Sequence, residues 1–402
     1  MSDVAATRTP VPGGPSQSGR ADPLAQYVET DYRATPLELF FDLVFVFAFT
    51  QVTGLMSENP TWEGLGQGML VLALVWWAWG GYAWMTNALH RDDWLARLGL
   101  FSAMGAMLIA ALAVPQAFGD DAVVFGLAYF AVRAIHIAVY AYGAEEDDVS
   151  GAILKLAPGL LVAPALIVVA GFLDGGAQVA FWIVALLIDY GTPYVRDVSG
   201  FRVSASHFAE RFGLIIIIAL GESIVAIGAG LEGDALTGPV IVAALAGIAL
   251  AIAQWWTYFD VVAIIAERKL AEAKGIERNR LARDSWGVLH GLLIAGIILT
   301  ALGVKKTIGD VDAPLKTVPA VALCGGVAVY LLGHVAIRWR SVHSINRQRV
   351  LAALMALALI PFATEVDSLA ALIAVAGLMV ALAAYETVIW RTRRSVLRAA
   401  HT

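Results

Sequence analysis

The chain reads as a succession of apolar runs, each near the twenty or so residues that a bilayer requires, separated by short polar loops. Twelve such runs stand at roughly 36–56, 65–88, 98–118, 121–142, 152–172, 177–195, 208–231, 236–263, 282–303, 317–338, 350–366 and 369–390. The eleventh is short and begins just after a basic loop. Each run predicts a transmembrane helix, because a helix satisfies its own backbone in lipid. The expected fold class is therefore all-α: a polytopic membrane protein of about twelve helices. The first helix has a sharp start. Thr35-Pro36-Leu37-Glu38 places Thr at the N-cap, Pro at the first helical position and Glu two residues further on, a capping box.

Polar residues refine this picture. Residues 1–34 are rich in Pro, Gly, Ser, Thr, Ala and Asp, with no apolar core of a signal peptide, and predict a disordered cytoplasmic tail. With that tail inside, the inner segments collect 23 Lys and Arg, against Lys305, Lys306 and Lys316 outside. The positive-inside rule then puts both termini in the cytoplasm. One inner loop, Glu145-Glu146-Asp147-Asp148, is acidic, which counts little in that rule.

A repeat is legible as well. Leu37 to Gly54 (LELFFDLVFVFAFTQVTG) is echoed by Glu210 to Leu231 (ERFGLIIIIALGESIVAIGAGL). With Glu38 on Glu210, Phe40 falls on Phe212 and Thr50-Gln51 on Glu222-Ser223. Further along, Trp76-Trp77 matches Trp255-Trp256, Gly105 matches Gly291, and Tyr129 and Arg133 match Tyr330 and His334. Pro164 and Asp189 match Pro361 and Glu386 at one common offset. The expectation is a first six-helix repeat over 35–200, a second over 201–392 and a short basic tail at 393–402. Six helices per half makes the repeats parallel, with a pseudo-twofold axis along the membrane normal.

Composition agrees with the class. Of 402 residues, 59% are hydrophobic and 15% charged, where a soluble domain carries about a quarter charged residues. The net charge of −6 and the dispersed Lys and Arg give no nucleic-acid surface. Cys324 stands alone in an apolar run, so an intramolecular disulfide is excluded and the residue reads as a small buried hydrophobe. No cofactor and no metal are expected, and the partner is the lipid bilayer.

Intramembrane ionisable groups are costly and mark candidate sites. Glu222 lies twelve residues past Glu210, about 18 Å along its helix and near the bilayer centre. Thr50 and Gln51 reach the same depth, and Ser223 flanks Glu222. Asp42 is about two turns from the cytoplasmic end. Arg133 enters from outside to mid-membrane, and Glu222, Asp189 or Asp42 could supply its carboxylate. Asp189 and His334 lie deep toward the cytoplasmic side, as does Glu386. Asp260 follows an aromatic stretch and also reads as an interfacial residue. His290 is about two turns into its helix. The outer halves of the spans are nearly free of charge, which suggests a polar cavity open to the cytoplasm. Bland readings stand beside these: Glu38 caps its helix with Thr35, Arg211 sits with Glu210 at the interface, and His290 and His334 are hydrogen-bonding glue between helices.

ELFFDLVFVFAFTQV, ERFGLIIIIALGESIVAIG and QWWTYFD resemble the signature segments of the bacterial low temperature requirement A (LtrA) family, along about residues 33–390. The resemblance implies a multipass membrane protein of poorly defined activity. It carries the family's polar positions onto Glu38, Phe41, Asp42, Gln51, Glu210, Arg211, Gly221, Glu222, Ser223 and Asp260 without assigning roles.

Three functions compete. A carrier of a small solute or ion would titrate Glu222, with Arg133 as its charge partner or as part of an anion site, and Asp42 and Gln51 lining the first-half side. An ion channel, assembled as a homodimer, would narrow its pore with Phe40, Phe41, Phe45 and Phe47. A lipid-modifying enzyme would need clustered ligands. The seven histidines (His90, His136, His207, His290, His334, His343, His401) form no tight pair, and neither G-x-S-x-G nor HExxH occurs. An enzyme could then use only a mixed site of Glu222, His290, His334 and Asp260. A sensor needs no motif. The expectation is a transporter and not an enzyme.

Overall fold

A computed structural model of the full chain describes residues 34–88, 94–143, 147–196, 198–231, 235–260 and 262–389. The expected tails 1–34 (apart from Ala34) and 393–402 lie outside these residues, as do His90, His401, Glu145 and Glu146. The described residues form helices and no strand, with one isolated bridge between Pro314 and Asp367. The helices are α1 (Pro36–Glu58), α2 (Trp62–Ala88), α3 (Trp94–Ala113), α4 (Ala122–Gly143), α5 (Asp147–Ala170), α6 (Gly175–Val195) and α7 (Ala205–Leu231). Then follow α8 (Gly238–Phe259), α9 (Val262–Glu272), α10 (Gly275–Leu281), α11 (His290–Gly309), α12 (Thr317–Val342), α13 (Arg347–Ala363) and α14 (Ser368–Ile389).

Eleven helical spans among the described residues are long and apolar enough to cross a membrane, and α13, at 17 residues, is the short eleventh run of the sequence. Their outward positions are large and apolar: Leu112, Leu187, Leu245 and Val388 are all more than half exposed. In water such surface would be a severe liability; in lipid it is the solvent-matched face. The protein is a multi-pass membrane protein.

The capping box at α1 forms with both bonds. The Glu38 amide donates to Thr35 Oγ1 at 3.3 Å, and Glu38 Oε2 accepts from the Thr35 amide at 2.7 Å. Two features were not expected. The basic stretch after α8 is helical, as α9 and α10. Between α10 and α11 the backbone widens into a π-helix over Ala282–Leu289. That widening turns the Gly287 carbonyl to the Trp76 indole, which donates to it at 2.7 Å.

Packing follows the same neighbour scheme in each half. In the first, α1 packs on α2 and α3, and α3, α4, α5 and α6 pack in succession. In the second, α7 packs on α8 and α11, and α11, α12, α13 and α14 pack in succession. The halves meet where α1 touches α7 and α11, and where α2 touches α7 and α11. Glycine sets the closest approach. A Cβ on Gly296 of α11 would lie 2.6 Å from the Tyr330 amide nitrogen of α12, and one on Gly326 would lie 2.7 Å from the Thr300 amide nitrogen. Only backbones without side chains can come this close.

Candidate functional site

The α1–α7 seam carries the densest polar chemistry of the bundle. Glu38 and Asp42 are four residues apart and share a face of α1. His207 and Arg211 are likewise four apart on α7. Where those faces meet, Arg211 bridges both carboxylates, with Nη1 2.9 Å from Glu38 Oε1 and Nη2 donating to Asp42 Oδ1 at 2.8 Å. The Trp79 indole of α2 donates to the same Asp42 oxygen at 2.9 Å. His207 Nε2 lies 3.2 Å from Glu38, and its Nδ1 is 3.1 Å from Asn87 Nδ2. Asp42, His207 and Arg211 have no exposure at all. The expected interfacial place of Arg211 is therefore corrected: α2 and α7 close over it, and it is a buried counter-ion. Glu38 is more than a cap, since the same carboxylate also neutralises Arg211. Glu210 accepts from the Ala34 amide at 2.8 Å.

About two turns deeper on the same seam, Thr50 donates to Glu222 Oε2 at 2.7 Å. Thr53 also lies beside this carboxylate, and Lys305 of α11 attracts it from longer range without a salt bridge. Glu222 and Ser223 are each 2% exposed, and Ser223 Oγ has no hydrogen-bond partner. Gln51 is half-buried, and no contact joins it to Glu222. Among the described residues, Glu222 is thus a buried carboxylate faced by hydroxyls. Such a group can hold a proton or a small cation, which an acid already locked to arginine cannot do as readily.

Two further ion pairs sit away from the seam. Arg133 of α4 donates to Asp189 of α6 at 2.7 Å, and the Tyr129 hydroxyl donates to the other Asp189 oxygen at 3.3 Å. The pairing of Arg133 with Glu222 is therefore corrected: α6, packed behind α2, brings the nearer acid. Arg349 of α13 clasps Glu386 of α14 with two bonds, at 2.9 and 2.7 Å, and donates to the Thr257 carbonyl at 2.9 Å. Asn346 joins at 3.2 Å.

The remaining candidates do not converge on Glu222. His290 Nε2 meets the Tyr258 hydroxyl at 3.0 Å, and its Nδ1 meets the Ser285 carbonyl at 2.7 Å. His334 is buried with neither nitrogen hydrogen-bonded, edge-on to Tyr330 with ring centres 4.6 Å apart. Asp260 caps the end of α8 and is 6% exposed. No three His, Cys, Asp or Glu among the described residues could jointly hold a metal. Nor do the four phenylalanines share a pore wall. Phe41 and Phe45 pack in the core, with ring centres 5.3 Å apart, while Phe40 is 52% exposed on another face.

Residues missed by sequence reading are Arg349, Asn346, His207, Asn87 and Trp79. Arg349 had a signal: the deep acid Glu386 called for a cation, and α13 offers one in its first turn. Trp79 had none, because an indole in an apolar run reads as packing.

The profile of the bacterial low temperature requirement A protein (LtrA) family matches residues 33–384. The chain belongs to the LtrA family. An uncharacterized protein of Rhizobium meliloti (strain 1021) is 28% identical over 308 residues, covering 74% of this chain and 75% of that one. The LtrA match runs across both sides of the seam and the Arg133–Asp189 pair, and it ends two residues before Glu386, the partner of Arg349. Of the polar positions implied by the resemblance, all but Asp260 stand on α1 and α7.

Proposed function

We propose that the protein is a carrier of a small solute or ion whose coupling proton binds at Glu222. The observation that carries this reading is the Thr50–Glu222 contact. It joins the halves at mid-helix, its carboxylate is buried, and it leaves that carboxylate without a paired cation. The two residues are 172 positions apart, the same spacing that separates Glu38 from its echo Glu210. Equivalent positions touch each other only where a twofold axis passes, so the contact supports two parallel repeats meeting on this seam. A second correspondence supports them too. Trp77 stacks on Tyr190 with ring centres 4.1 Å apart, and Trp256 donates to Thr387 at 3.0 Å; these pairs occupy matching places in the two echoes. The halves then rock about the seam, with Thr50, Thr53 and Ser223 exchanging places around the proton. The Arg211 cluster crosses the seam and serves as its fixed pivot, while the Arg133–Asp189 and Arg349–Glu386 pairs stay closed, one within each half. Both termini face the cytoplasm of a bacterial inner membrane.

The test is flux in proteoliposomes with a pH-sensitive dye inside and imposed gradients of K⁺, Na⁺ and H⁺. Wild type is expected to move protons under at least one gradient, and Glu222→Gln to lose that movement while eluting as the same monodisperse species. Equal pH-dependent flux in both would overturn the assignment.

A further inference from the structure

The halves also touch away from the α1–α7 seam, where α6 ends beside the π-helix of Ala282–Leu289. Arg283 stacks on the Tyr194 ring, with its guanidinium carbon 3.8 Å from the ring centre, and donates to the Pro193 carbonyl at 3.2 Å. The Tyr194 hydroxyl donates to Asp284 Oδ1 at 3.2 Å. Asp284 is held in turn by Arg283 at 2.8 Å and by Arg340 of α12 at 2.9 Å, and Arg340 also binds Glu277 of α10 at 3.0 Å. Pro193 and Tyr194 are the first half's side of this contact, and its charges all belong to the second.

This contact differs in kind from the seam. Asp42 and Arg211 are wholly buried, whereas Tyr194 is 51% exposed and Arg283, Asp284, Arg340 and Glu277 all keep some exposure. Ion pairs that touch water are weak and screened by salt, because water and counter-ions compete for both charges. Such a contact can break and re-form while a buried one holds.

The chain is arranged to allow that. Asn279 of α10 donates to the Val198 carbonyl at 2.9 Å and to the Phe201 carbonyl at 2.7 Å, which pins the connection after α6 to the second half. Gly200 takes the left-handed turn inside this grip, at φ 89°. Between the grip and Pro193 lie Val195 and Arg196, both exposed. The end of α6 can therefore part from the π-helix without dragging the connection along. Behind the contact is a cavity of about 80 Å³ with Trp77, Gly80 and Trp84 of α2 on its walls. Pro193 and Arg283 close its near side, so parting them uncovers it.

We propose that Tyr194, Arg283 and Asp284 form a latch between the halves, closed in this structure, whose release opens the cavity to the cytoplasm. The proposal rests on the carrier reading and its topology, and supplies them with an inner gate. Rocking about a fixed pivot requires any second joint between the halves to give way, and this is the joint built from exposed polar contacts.

The test reads access to the cavity directly. The reporter is Gly80→Cys combined with Cys324→Ala, because Gly80 lines the cavity and a Cβ there meets nothing within 4 Å. A charged methanethiosulfonate is applied to inside-out vesicles. With the latch intact, labelling is expected to be slow and to quicken as salt is raised. Tyr194→Ala with Asp284→Asn should speed labelling about tenfold and remove the salt effect, since the pairs that salt screens are gone. Cys324, buried in the chain without the reporter, should stay unreactive when the latch is cut. Unchanged labelling of the reporter would overturn the latch. An equal gain at Cys324 would overturn it too, by showing that the whole bundle has loosened. In the same Cys324→Ala background, Tyr194→Cys and Arg283→Cys joined by a short bifunctional maleimide should stop the Glu222-dependent proton flux. Full flux in the joined protein would overturn the latch and leave the carrier reading intact. A labelling gain without proton flux in wild type would overturn the carrier reading and leave the latch standing.

Discussion

Arg211 illustrates how asymmetric a buried charge is. Together with Glu38 and Asp42 it forms a nearly closed electrostatic unit, and its removal leaves two carboxylates buried without a cation. Breaking a buried pair from one side costs about 3–5 kcal/mol, whereas removing both signs together is far milder. Arg211→Met should therefore unfold at a clearly lower temperature than wild type in detergent. Adding Glu38→Gln and Asp42→Asn to that variant should recover a large part of the loss, as read by thermal scanning. No recovery in the triple variant would show that Arg211 acts through packing alone. Glu222 stands opposite in kind: its neighbours are hydroxyls, so exchange for Gln should be tolerated by the fold.

Among the helices, α11 is the most enclosed, and its contact with α12 depends on what is missing from the side chains. Gly296, Gly303, Gly326 and Gly333 all lie where a Cβ would come within 2.8 Å of the facing helix. Gly296→Val is expected to abolish recovery of monodisperse protein, because the Tyr330 backbone cannot retreat without moving α12 as a whole. Gly377→Ala on α14, where nothing lies within 4 Å, should behave as wild type in size-exclusion chromatography. These roles were only partly legible beforehand. The apolar runs announced the helices, since a bilayer accepts little else. The helical α9 and α10 were read as loop, because charged residues at that density gave no apolar span to recognise. The π-helix at Ala282–Leu289 left no signal, since it arises from how α10 and α11 join against Trp76.

The molecule as a whole has a direction that its loop charges propose. With Cys324 replaced by Ala, single cysteines at Asp310 and Ile345 sit at opposite ends of α12, and both positions are exposed. An impermeant maleimide applied to intact cells should label Asp310→Cys and spare Ile345→Cys. The reverse pattern would invert the topology and place the Arg211 cluster at the outer face.

By itself the sequence determined the class, the approximate number and positions of the spans and the family. These follow from local quantities: run length, hydropathy, a capping box and motif order. It also singled out Glu222, because a carboxylate in an apolar run is conspicuous wherever it is packed. Only the tertiary structure decided which charges meet. Arg133 had three candidate acids, and the packing of α6 behind α2 selected Asp189; Arg211 went from interface to core because α2 closed over it. Partner choice among buried charges depends on distances between helices far apart in the chain, and a linear pattern does not encode those distances.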